Sequence, residues 1–168
     1  MILQALLQEF NYEAENTRKL LKAIPDAALS HRPPGYENGW TLGELAEHIV
    51  NIYGWYPITL LEPKLDLATF YREQYDINSI ENILARFEDN VTQARAAMEK
   101  ITEEALKQHW TMSVGDRVII PPSPRVMVMR SFLMNHLYHH RGEMVVYLRS
   151  SGNAVPGLYG PTKEDRAV

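Results

Sequence analysis

Cysteine is absent from the 168-residue chain. That excludes a disulfide framework, thiolate metal sites and a cysteine nucleophile, and it leaves the redox compartment open. Long apolar runs are missing too, because Glu, Lys, Arg or His interrupts every helical stretch, so no membrane span is expected. The opening Met1-Ile2-Leu3-Gln4-Ala5-Leu6-Leu7-Gln8-Glu9 has no basic n-region, which argues against a secretory leader and makes the cytoplasm the default expectation. A basic excess is also lacking. Lys and Arg total 17 against 21 Asp and Glu, for a formal net charge of -4, and the cations are scattered. A nucleic-acid partner is therefore not expected, since such binders cluster positive charge against phosphates.

What is present is an ordinary globular composition, 45% hydrophobic and 23% charged, enough for one domain spanning residues 1–168. Leu3, Leu6, Leu7, Phe10, Ala14, Thr17, Leu20, Leu21 and Ile24 recur at threes and fours, the stripe of a first helix that Pro25 stops. Thr41-Leu42-Gly43-Glu44 is a capping box opening a second helix, which Pro57 bends or ends. Residues 63–77 read as a long connection. Asn78-Ser79-Ile80-Glu81 offers another capping box before the stripe Ile80, Ile83, Leu84, Phe87, Val91, Ala94, Met98 and Ile101. Val114-Gly115-Asp116-Arg117-Val118 suggests a small hairpin, and Ser123-Pro124 an N-cap and first turn for a helix running to Ser150, where Gly152 ends it. The tail from Pro156 is too rich in Gly, Pro and charge to be core. Four amphipathic stripes bury best against one another, so the expected fold is all-α, a four-helix bundle with long connections after helices two and three.

Three histidines fall on apolar faces. His48 lies between Leu45 and Ile52 on the second helix; His136 and His140 are four apart on the fourth. Buried imidazoles need partners, and one divalent ion would satisfy all three while leaving a coordination position open. Single inward histidines are more often hydrogen-bonded core residues, so the spacing alone leaves both readings standing. Other metal patterns fit less well. Leu137 follows His136 where a zincin needs Glu, and neither Glu44 before His48 nor Glu143 after His140 gives the Glu-x-x-His order of a di-iron bundle.

Two segments carry a family resemblance. Trp40-Thr41-Leu42-Gly43-Glu44-Leu45-Ala46-Glu47-His48-Ile49 is one, and Asn135-His136-Leu137-Tyr138-His139-His140-Arg141-Gly142-Glu143 with Val155-Pro156-Gly157-Leu158-Tyr159-Gly160 is the other. Together they resemble the DinB-like family over essentially the whole chain. The resemblance implies an up-down-down-up bundle, often a homodimer, with metal ligands at His48, His136 and His140 and with His139 as a non-ligand neighbour. Where many members carry Gln after Arg-Gly, this chain has Glu143, which either reaches the ion or is a helix-surface charge.

The resemblance also implies thiol-dependent transferases, isomerases and hydrolases using bacillithiol, mycothiol or glutathione. An open position on Zn, Ni or Fe would activate a low-molecular-weight thiol or a water against a small electrophilic substrate. Glu143 and Glu44 are the candidates for a base or for orienting an imidazole, although Glu44 is more simply the capping-box partner. The alternative is a non-catalytic metal or small-ligand binding protein of stress response. Trp40 and Trp55 could wall a pocket, and Arg141 faces off the ligand side toward an acid or a dimer contact.

Overall fold

A computed structural model describes residues 2–71 and 74–166. Four long helices form the bundle: α1 (Ile2–Lys22), α2 (Leu42–Leu61), α3 (Ile80–Lys100) and α4 (residues 125–150). Most of each expected stripe is buried, with Leu6, Phe10, Ala14, Thr17, Leu20 and Leu21 inward on α1 and Ile83, Phe87, Val91, Ala94 and Met98 inward on α3, while Leu3, Leu7, Ile80 and Leu84 are half-buried at the margin of the core.

Pairings along the helices give their directions. Phe10 meets Tyr56 at 5.0 Å and Thr17 Oγ1 meets Tyr53 Oη at 2.7 Å, so α2 runs against α1. Arg18 pairs with Glu88 and Arg95 with Asn11, so α3 also runs against α1. Glu9 meets Tyr138 and Glu13 meets Arg141, so α4 runs with α1. The order is up-down-down-up. Parallel α2 and α3 require the chain between them to travel back about 30 Å, the length of a 20-residue helix, which explains the long connection.

That connection is not bare loop. It contains β1 (Lys64–Asp66), which pairs in parallel with β2 (His109–Val114), itself antiparallel to β3 (Arg117–Pro124). The hairpin expected at Val114–Val118 is present, turning at Gly115 with φ +57°; β1 was not expected. Leu65, Trp110, Met112 and Val128 form a second small core beneath this sheet. No helix among the described residues is long and apolar enough to cross a membrane.

Four local expectations need correction. Pro57 does not end α2; it lies inside the helix, which continues to Leu61. Ser79 caps α3 with its backbone position alone, without a side-chain hydrogen bond. Ser123 and Pro124 belong to β3, Ser123 Oγ donates to the Pro121 carbonyl, and α4 starts at Arg125. The tail is not peripheral, because Val155 is buried and the Tyr159 hydroxyl donates to Glu13 Oε2 at 2.7 Å.

Candidate metal centre

The capping box sets the start of α2. Glu44 N donates to Thr41 Oγ1 at 3.1 Å, and Thr41 N donates to Glu44 Oε2 at 2.6 Å. One turn later the helix presents His48. On the facing side α4 is α-helical over Asn135–Ser150 but follows a seven-residue π stretch, Val128–Met134, that sets the phase at which His136 and His140 emerge. An i,i+4 pair on the α segment then stacks on one face.

The three rings converge. Their centroids are 5.0 Å apart for His48 and His136, 4.5 Å for His48 and His140, and 4.6 Å for His136 and His140. His48 Nε2 and His136 Nε2 lie 3.1 Å apart. One ligand atom from each histidine falls within 4.8 Å of the others. Two nitrogens bound at 2.0–2.1 Å to one tetrahedral ion sit about 3.3 Å from each other. The cluster therefore has the dimensions of an ion's donor set.

Glu143 approaches from behind. Its Oε2 is 2.6 Å from His140 Nδ1, and its Oε1 is 3.4 Å from the exposed His139 Nε2. A carboxylate that close to Nδ1 holds a hydrogen bond, since an ion between them would push N and O beyond about 3 Å. With Nδ1 committed to Glu143, Nε2 is the nitrogen of His140 left for an ion.

Aromatic rings enclose the cluster. Trp40 lies 4.7 Å from His48 and 5.7 Å from His140; Trp55 lies 5.9 Å from His136 and stacks on Phe132 at 5.8 Å. Burial, with the neighbouring His140 and His139 adding to it, pushes the His136 pKa down to about 4. The ring is thus neutral at pH 7, as a ligand must be. Its buried Nδ1 has no hydrogen-bond partner, so nothing in the protein commits that ring to another role.

A cavity of about 240 Å³ adjoins His48, lined by Trp40, Glu44, Glu47 and Asn51. Glu44 faces it, but one of its oxygens is committed to the cap, and Arg32 stands 3.6 Å away. Sequence reasoning did not single out Glu47 or Asn51. The available signal was that they flank His48 on its own helix, one position before and one turn after.

The low His136 pKa has a measurable consequence for the metal-free protein. Between the ordinary value of 6.5 and about 4 the unfolded chain binds the proton more readily than the folded one. The stability this residue supports is complete above pH 6.5, declines as pH falls toward 4, and then levels off. Urea midpoints of metal-stripped protein should fall across that window, and His136→Gln should flatten the fall; identical slopes in both proteins would contradict the burial argument.

Comparison with known proteins agrees with this architecture. A model of the DinB family matches residues 1–167. The uncharacterised protein YrdA of Bacillus subtilis strain 168 is 34% identical over 170 residues, covering 98% of this chain and 92% of YrdA. A DinB-like protein of Bacillus cereus superposes with a TM-score of 0.72 at 26% identity, covering 93% of this chain and 97% of its own. The DinB-like protein YjoA of Bacillus subtilis has the same fold, with a TM-score of 0.69 at 19% identity over 92% of this chain and 97% of its own. With a family model matching nearly the whole chain and a relative 34% identical over 98% of it, the chain belongs to the DinB family.

Proposed function

We propose that the protein binds one divalent metal ion, Zn, Ni or Fe, through His48, His136 and His140, and is a metal-dependent enzyme. It acts on a small electrophilic molecule with a thiol or water as nucleophile. The observation that carries this reading is the convergence of three imidazoles from two helices at ion-sized separations, with a carboxylate behind one of them.

A divalent ion held by His48, His136 and His140 would supply Lewis acidity, which lowers the pKa of a thiol or water bound to it. The chain's own residues do the rest. Glu143 accepts a hydrogen bond from the His140 Nδ1–H and so fixes both tautomer and ring orientation. Trp40 and Trp55 border the cluster and reduce its contact with bulk water, which strengthens electrostatic effects within it. Glu44 and Glu47 bring carboxylates to the cavity beside His48, where a proton from the nucleophile can be taken up. Since the chain has no cysteine, a thiol must arrive as cosubstrate.

Metal-loaded protein should consume an electrophile such as 1-chloro-2,4-dinitrobenzene faster in the presence of bacillithiol or glutathione, and His136→Ala should abolish the increment. Turnover that His136→Ala leaves intact would remove the enzymatic reading. Metal binding without turnover across a panel of thiols and electrophiles would favour the second reading, a non-catalytic metal or small-ligand binding protein, for which the same three rings speak.

A further inference from the structure

The cavity beside His48 shares one lining residue, Asn51, with a neighbouring cavity of about 340 Å³ between α2 and α3. His48, Asn51, Trp55 and Ile58 follow one another at threes and fours, a single stripe along α2 that leads away from the histidine cluster. Arg86, Asn90 and Gln93 make the matching stripe on α3. Helix interfaces of this kind normally carry apolar side chains, and this one carries amides opposite Gly54.

Three features say what it would hold. Asn51 is 5% exposed and its Nδ2 has no hydrogen-bond partner, a buried donor waiting for an acceptor oxygen. Asn90, also buried, spends its Nδ2 on the Val50 carbonyl and keeps its side chain fixed against Gly54. None of the described residues lining the cavity is acidic, and the charge there is that of Arg86, whose guanidinium lies 5.5 Å from the Tyr75 ring and 3.9 Å from Asp89. The opposite wall is aromatic: Trp55 from α2, with Phe70 and Tyr71 from the crossover. Tyr71 is 82% exposed, an apolar surface that an occupant would cover.

We infer that this cleft binds a small aryl carboxylate, its ring against Trp55, Phe70 and Tyr71 and its carboxylate toward Arg86 and the Asn51 amide. The volume suits a single-ring acid, at the lower end of the range of about 300–1,000 Å³ typical of ligand pockets. Its service as the substrate site of an enzyme rests on the metal reading above, because only the shared Asn51 wall connects it to His48. Binding itself does not.

The test is a side-chain NMR titration of ¹⁵N-labelled, metal-free protein with benzoate, phenylacetate and 4-hydroxyphenylacetate. At least one acid should move the Asn51 amide and Trp55 Nε1–H cross-peaks along a saturable curve. Arg86→Gln should weaken the binding about tenfold, and phenylacetamide should bind less tightly than phenylacetate by a similar factor. Cross-peaks that no acid moves, movement confined to other parts of the protein, or equal affinity for acid and amide would each overturn the assignment. A curve that survives while metal binding fails would leave the cleft standing and the enzymatic reading refuted.

Discussion

Glu13→Ala is expected to destabilise the protein by about 3–5 kcal/mol, the cost of leaving a buried guanidinium without its counter-ion. Glu13 is 6% exposed on α1 and Arg141 is 2% exposed on α4. Arg141 Nη1 donates to the Glu13 carbonyl at 3.0 Å, and its Nη2 contacts both the Glu13 carboxylate and the Tyr159 hydroxyl. Thr17 and Tyr53 extend the network: Thr17 Oγ1 donates to the Glu13 carbonyl at 3.0 Å and meets Tyr53 Oη at 2.7 Å. Burial raises the Tyr53 and Tyr159 pKa values, so both hydroxyls stay protonated donors. The paired change Glu13→Met with Arg141→Leu should recover most of the loss, because replacing both ions removes the unpaired charge. Urea unfolding of the three proteins measures this. A Glu13→Ala loss below about 1 kcal/mol would show that the pair is solvated in solution.

The second large effect concerns Glu143. Glu143→Gln should reduce metal affinity by about 10–100-fold, as loss of a carboxylate behind a ligand imidazole does, with little change in fold stability. The residue is a partly exposed position on α4 whose ion-pair partners among the described residues are His140 and His139. Competition with a chromogenic chelator reads the affinity directly. An unchanged affinity would make Glu143 a helix-surface charge. A loss as large as that of His140→Ala would make it a ligand in its own right.

Much of the bundle was legible because its signals are local. The stripe from Leu6 to Leu21 and the reciprocal Thr41 and Glu44 hydrogen bonds depend only on residues a few positions apart. The same is true of the i,i+4 spacing of His136 and His140, so their shared face could be read directly, whereas their meeting with His48 depends on how two helices pack. Features set by distant partners stayed hidden. Tyr159 reads as tail until α1 supplies Glu13, 146 positions away. Lys64–Asp66 is too short to show alternation and becomes a strand only beside β2. The π stretch Val128–Met134 contains neither Pro nor Gly to mark it. Glu143 sits where either an inward or an outward carboxylate fits the spacing, and only the His140 ring orientation decides between them.

The decisive experiment is elemental analysis and metal titration of purified wild-type protein beside His48→Ala and His136→Ala. One divalent ion per wild-type chain, with each alanine variant folded and binding at least about a hundredfold more weakly, is the predicted outcome. Equal metal content in all three proteins would show that these imidazoles hold no ion, and the chemistry built on them would have to be abandoned.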